Sequence, residues 1–161
     1  MKNIIKILLL ICVCITNTCG LKDSENCHHS IEFTNNSDGL LDVNFTIFSY
    51  YYPDPLDISK IPNFSEDQKN IKSNETRKNL YTRHCMEKYL NEGEWFFDTV
   101  YVYVFDATVV ENTPWEVVAR DYLVLKRYDL TLEDLQLLNW KISYPPTEAM
   151  RYVIQSPPFK E

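Results

Sequence analysis

The run Thr99-Val100-Tyr101-Val102-Tyr103-Val104-Phe105-Asp106 decides the fold. Side chains alternate across a strand, so Val100, Val102 and Val104 share one face while Tyr101, Tyr103 and Phe105 share the other. A half-solvated strand would carry polar residues on one of those faces. Here both are bulky and apolar, and the pattern predicts a central strand covered on both sides.

Downstream of this strand, Thr113-Pro114-Trp115-Glu116 reads as a helix start. Thr113 can cap free amide groups, Pro114 suits the first helical position, and Glu116 can close a capping box. Trp115, Val118 and Tyr122 then fall on one helical face. Leu123 to Tyr128 reads as a strand. Thr131, with Asp134 three residues on, repeats the cap logic, with Leu132, Leu135 and Leu138 facing the core and Asn139 as a stop. Trp140 to Tyr144 is a last strand ended by Pro145-Pro146, and the tail beyond reads as irregular.

Upstream, Ile31 and Phe33 alternate within His29 to Thr34, and Leu41, Val43, Phe45 and Ile47 within Leu40 to Ser49. Asn35-Asn36-Ser37-Asp38-Gly39 lies between them, and Asp-Gly is a strong hairpin signal, so the two runs are expected to pair. Residues 53–76 are polar and read as a long loop with a short strand near Ile71. Arg77 to Asn91 looks helical, most clearly over 84–90, ending near Gly93. The order is β-β-loop-α-β-α-β-α-β. It implies an α+β or mainly-β domain, an antiparallel sheet or sandwich with two or three short helices.

The amino terminus reads as an export signal over residues 1–18. Lys2 and Lys6 precede the apolar stretch Ile4 to Ile15, and no acidic residue occurs before Asp23. The stretch is shorter than the roughly 20 residues a spanning helix needs. Two cleavage modes fit. In one, Cys19 becomes the lipidated first residue of a lipoprotein, followed by a polar tether over 19–28 and a single domain over 29–161. In the other, cleavage falls between residues 16 and 22 with no lipid. Thr16-Asn17-Thr18 departs from the aliphatic and small residues usual before a lipidated cysteine. Cysteine count favours the lipid: Cys12 and Cys14 leave with the signal, and acylated Cys19 leaves Cys27 and Cys85 as one pair. A bridge between them closes a 58-residue separation, worth roughly 4 kcal/mol by chain entropy. The alternative is two separate buried thiols.

Composition sets further bounds. Without Lys2 and Lys6 the 16 basic residues fall to 14 against 23 acidic, a formal charge of −9. Such a surface argues against nucleic acid as a partner. Eleven Tyr, eight Phe and three Trp mark a folded chain, and only three Gly exclude a glycine-rich phosphate loop.

The segment 98–146, from Asp98-Thr99-Val100-Tyr101-Val102-Tyr103 through Thr113-Pro114-Trp115 and Tyr122-Leu123-Val124-Leu125 to Asn139-Trp140 and Tyr144-Pro145-Pro146, resembles a group of uncharacterised small lipoproteins of gut Bacteroidales. The Asn-Asn-Ser-Asp turn adds to the likeness. The group has no assigned activity, so the resemblance implies a compartment and no chemistry: a protein of the cell envelope, anchored to the outer membrane on its periplasmic or cell-surface side. It also implies tolerance of a loose sequence before Cys19, and it makes Asp98-Thr99-Val100 similar to a short O-glycosylation motif, which the start of a strand explains equally well. In a eukaryote Asn35, Asn44, Asn63 and Asn74 would be N-glycosylation sequons; in a bacterium they are inert.

Candidate chemistry is sparse. His28 and His29 flank Cys27, and His84 flanks Cys85, so a bridge would gather all three, yet adjacent histidines in an extended segment point apart. No metal and no cofactor is expected. Among carboxylates, Asp106 and Glu111 lie near a strand end, where a glycosidase would need a pair in a cleft. Tyr50, Tyr51 and Tyr52 end a strand before prolines and are the candidate ligand-facing aromatics for a glycan or a protein. The expected function is a lipid-anchored, non-catalytic binding or accessory module of the envelope; the alternative is a small envelope hydrolase acting on glycans.

Overall fold

The computed structural model describes residues 27–46, 57–61, 64–81, 85–91 and 98–157. The export signal, Cys19, Tyr50 to Tyr52 and His84 lie outside the described residues. Among the described residues the strands are β1 (Ser30–Asn35), β2 (Leu41–Thr46), β3 (Thr76–Tyr81), β4 (Thr99–Asp106), β5 (Lys126–Thr131), β6 (Lys141–Tyr144) and β7 (Ile154–Ser156). The α-helices are α1 (Met86–Asn91), α2 (Ala107–Asn112), α3 (Trp115–Arg120) and α4 (Leu132–Leu137), one or two more than expected.

The strands form two sheets, of order β3-β1-β6 and β2-β4-β5-β7. The larger is antiparallel throughout; in the smaller, β1 pairs antiparallel with β3 and parallel with β6. Ile31 and Phe33 of β1 and Ile142 of β6 share one buried cluster with Leu41, Val43 and Phe45 of β2, Val100, Val102 and Val104 of β4, and Tyr128 and Leu130 of β5. The two sheets therefore pack face to face, and the domain is an α+β sandwich. A buried hydrogen bond joins them, the Tyr128 hydroxyl donating to the Ser143 carbonyl at 2.8 Å. Burial pushes the Tyr128 phenol well above its ordinary pKa, so it stays a donor.

β4 is the two-sided strand its pattern predicts. Its valines enter the core between the sheets. Tyr103 and Phe105 enter a second cluster with Ile58, Ile61 and Val118, packed against by Trp115, Tyr122 and Phe64. This cluster covers the outer face of the larger sheet with α3 and the turn Ile58–Lys60. The expected helical face Trp115, Val118 and Tyr122 is the face that packs there. Thr113 is not the cap: Pro114 takes the cap position of α3 without a side-chain bond. The cap that forms is Asp106, whose carboxylate accepts from the Thr108 and Val109 amides and starts α2 at once after β4. The Thr131 box forms as expected, with Asp134 accepting from the Thr131 amide and hydroxyl while the Thr131 hydroxyl accepts from the Asp134 amide. Leu135 is fully buried, and Leu132 and Leu138 pack on the core.

Four expectations change. β1 and β2 are not a hairpin; they belong to different sheets. The reason is Asn35. Its fully buried side chain donates to the carbonyls of Gly39 and Ile71, both at 2.8 Å, and accepts from the Ser37 amide and hydroxyl. It thereby folds the turn onto residue 71, whose backbone exchanges two hydrogen bonds with Leu41. The chain is handed from one sheet to the other instead of doubling back. Residues 77–81, expected within a helix, belong instead to β3, because the open flank of β1 supplies hydrogen-bond partners that outweigh weak helix propensity. The strand expected at 123–128 lies at Lys126–Thr131. Finally, the tail contributes β7, an edge strand on β5.

Asn35→Ala removes four side-chain hydrogen bonds, one of them to the buried Ile71 carbonyl, which keeps only the Leu41 amide. It is expected to lower unfolding free energy by about 3 kcal/mol in a urea titration. Asn35→Asp, which sets a carboxylate against the same carbonyls, should be no milder at neutral pH.

Candidate functional site

The described side chains offer two clusters of reactive groups. The first lies at the start of β1 and of α1. The Cα atoms of Cys27 and Cys85 are 5.2 Å apart, within disulfide range, and the two sulfurs face each other. Cys85 is buried and Cys27 half-buried. The backbone holds the two segments in place, since the Met86 amide donates to the His28 carbonyl at 3.0 Å. Cys27 and His28, at the far end of the expected tether, are thus fixed to the domain.

Glu87 joins the pair. One carboxylate oxygen lies 3.2 Å from Cys85 Sγ and accepts from the His28 amide at 2.9 Å; the other meets His28 Nδ1 at 2.5 Å. Burial of Glu87 works against its ionisation, but the His28 amide and ring outweigh it and hold the carboxyl below its ordinary pKa. His29 Nε2 lies 3.3 Å from Cys27 Sγ. The two adjacent histidines each find a partner within the cluster, His28 in Glu87 and His29 in Cys27.

Trp140 forms the wall of this site. Its ring stacks on His28 with centroids 4.4 Å apart and planes 14° from parallel. It sits at φ 60°, directly after Asn139 at φ 51°. Asn at a helix end adopts this left-handed region readily; a bulky aromatic does so only when its surroundings enforce it. The Trp140 amide donating to the Leu135 carbonyl at 2.8 Å and the stack on His28 are that enforcement. Sequence reasoning found Cys27, Cys85, His28 and His29 but passed over Glu87 and assigned Trp140 to packing alone.

The second cluster is acidic. Asp42 of β2 is buried on the outer face of the larger sheet and accepts from the Asn70 amide at 2.8 Å. Burial pushes its carboxyl above the ordinary value; the Asn70 amide and Lys69 pull the other way, while Glu111 and Asp106 add to the rise. Of the two acids the sequence offered, Asp106 is engaged as the α2 cap and Glu111 is exposed. The other proposed positions resolve simply. Trp115 packs on the outer apolar cluster. Thr99 begins β4, with its hydroxyl donating to Asp98 at 2.9 Å. Asn35 and Asn44 are buried and cannot present a glycan.

Asp42→Asn retains an oxygen for the Asn70 amide and removes a buried charge. A carboxyl whose folded pKa is raised destabilises the fold above that pKa, and the penalty is relieved as pH falls toward the ordinary value of about 3.9. The variant should therefore melt at or above the wild-type temperature at pH 7, and the gap should close near pH 3.5.

Comparison with protein-family models, with curated proteins and with solved structures finds no match to this chain.

Proposed function

We propose that the chain is an exported protein of the cell envelope, held at the outer membrane by a lipid on Cys19, whose sandwich domain acts as a non-catalytic binding or accessory module. The approach of Cys27 to Cys85 carries this reading. It pairs the two cysteines left once the leader is removed and Cys19 is acylated, and a bridge of this kind persists in oxidising compartments outside the cytoplasm. It also sets the geometry of attachment. Cys27 lies eight positions after Cys19, a reach of at most about 28 Å when fully extended. The domain would ride close to the bilayer, with the start of β1 toward it. The formal charge of −9 offers anionic headgroups no attraction, so the acyl chains would supply the adhesion.

The carboxylates support a binding role over hydrolysis. Asp106 is committed to a helix cap, and Asp42 is enclosed and already hydrogen-bonded. The small glycan hydrolase remains the rival because Asp42 is an acid held toward its neutral form with two other carboxyls influencing it. Among the described residues no helix is long and apolar enough to cross a membrane, so for that part of the chain attachment would depend on the leader region.

Expressed with its own leader in a bacterium competent for lipoprotein export, the wild-type chain is expected in the membrane fraction, and Cys19→Ala in the soluble fraction. Mass spectrometry of the recovered wild type should show an acylated Cys19 as first residue. An intact Met1, or equal membrane recovery of the variant, would refute the anchor.

A further inference from the structure

We infer that the cluster of Cys27, Cys85 and Glu87, with His29 beside it, is a redox-gated binding site for a thiophilic divalent metal ion such as zinc. One sulfur from each cysteine and a carboxylate oxygen of Glu87 lie within 4.8 Å of one another. Ligand atoms about a tetrahedral ion with bonds of about 2.0–2.3 Å lie roughly 3.3–3.8 Å apart, inside that limit. His29 Nε2, 3.3 Å from Cys27 Sγ, lies just outside that group and would supply the fourth ligand by turning inward. Two thiolates, an imidazole and a carboxylate suit zinc and similar ions; magnesium and calcium prefer all-oxygen sets.

The surroundings of the cluster are those of a built site. A metal-binding carboxylate needs its free oxygen and its orientation fixed by outer groups. Glu87 has this arrangement: His28 holds it through both the amide and Nδ1, and the stack on Trp140 in turn holds the His28 ring. The left-handed backbone of Trp140 stations that wall. Access is provided too. His28 is exposed and Cys27 half-buried, while Cys85 forms the closed inner side.

The gate is the disulfide itself. While the sulfurs are bonded to each other they present no thiolate. A dithiol reductant transfers two electrons and two protons: the Cys27–Cys85 bond breaks, two thiols form, and the reductant becomes a disulfide. Binding of the divalent ion then releases both thiol protons and forms two metal–sulfur bonds. The site would thus take up metal when the envelope becomes reducing, and release it when a disulfide oxidant accepts two electrons from the thiolates, becoming a dithiol as the Cys27–Cys85 bond re-forms.

Cobalt(II) tests this directly, since thiolate ligation gives a charge-transfer absorption and a tetrahedral field gives intense d–d bands. The full chain, reduced with a phosphine and titrated with cobalt chloride, is expected to develop both at one equivalent and to lose them to added zinc. The oxidised chain should develop neither. Cys12, Cys14 and Cys19 remain present, so disappearance of the bands in Cys27→Ser, with its fold checked by circular dichroism, assigns them to this site. His28→Ala leaves every ligand and the backbone amide in place but removes the Nδ1 contact and the ring that orient Glu87, and should weaken cobalt binding about 10–100-fold. Absence of the charge-transfer band in the reduced, folded chain overturns the site. Equal cobalt binding by the oxidised chain overturns the gate, and unchanged affinity in His28→Ala overturns the role given to Glu87.

Discussion

The structure depends on β4 having no polar face. A strand with valines on one side and Tyr103 and Phe105 on the other cannot sit at the surface of a two-layer protein. It has to be the middle of a three-layer one, and the rest of the chain is arranged to provide the outer layers. The smaller sheet covers the valine face through Ile31, Phe33 and Ile142. The aromatic face is covered by α3 and the turn at Ile58–Lys60. Burial of this kind is the main favourable term in folding, which explains why a domain with short helices and few glycines reaches a definite architecture.

That constraint was readable because it is periodic. The alternation of residues 99–106, the Thr131–Asp134 box and the helical spacing of Trp115, Val118 and Tyr122 are local patterns, and local structure follows them closely. What could not be read was pairing between segments distant in sequence. The Asn35 to Gly39 stretch carries a sound hairpin signal, yet one buried amide, by reaching residue 71, sends β2 into the other sheet. β3 was misread for the same reason: its residues have weak preferences, and the exposed flank of β1 decides their conformation. The shift of β5 to Lys126–Thr131 puts Tyr128 within reach of Ser143, a partner that does not show in the chain order.

The reactive cluster was half legible. Cysteines and histidines are conspicuous, and their near symmetry about positions 27 and 85 was visible in the sequence. Glu87 was not, since one glutamate among 23 acidic residues carries no mark until α1 turns it toward Cys85. Trp140 resembled any core aromatic, and only its backbone conformation sets it apart. The acids that did draw notice, Asp106 and Glu111, were chosen for nearness to a strand end, and the nearest use for a carboxylate there is to cap the following helix.

The Cys27–Cys85 closure also has a mechanical meaning. β1 is the middle strand of its sheet, bonded to β3 on one flank and β6 on the other. Tension entering at the amino end would ordinarily peel such a strand away one rung at a time, the weakest way to load a ladder. With the sulfurs joined, a pull on the leader side is shared at once between the root of β1 and the root of α1. A load entering at the amino end then falls on two anchored roots at once, so β1 would not be the first rung to give way.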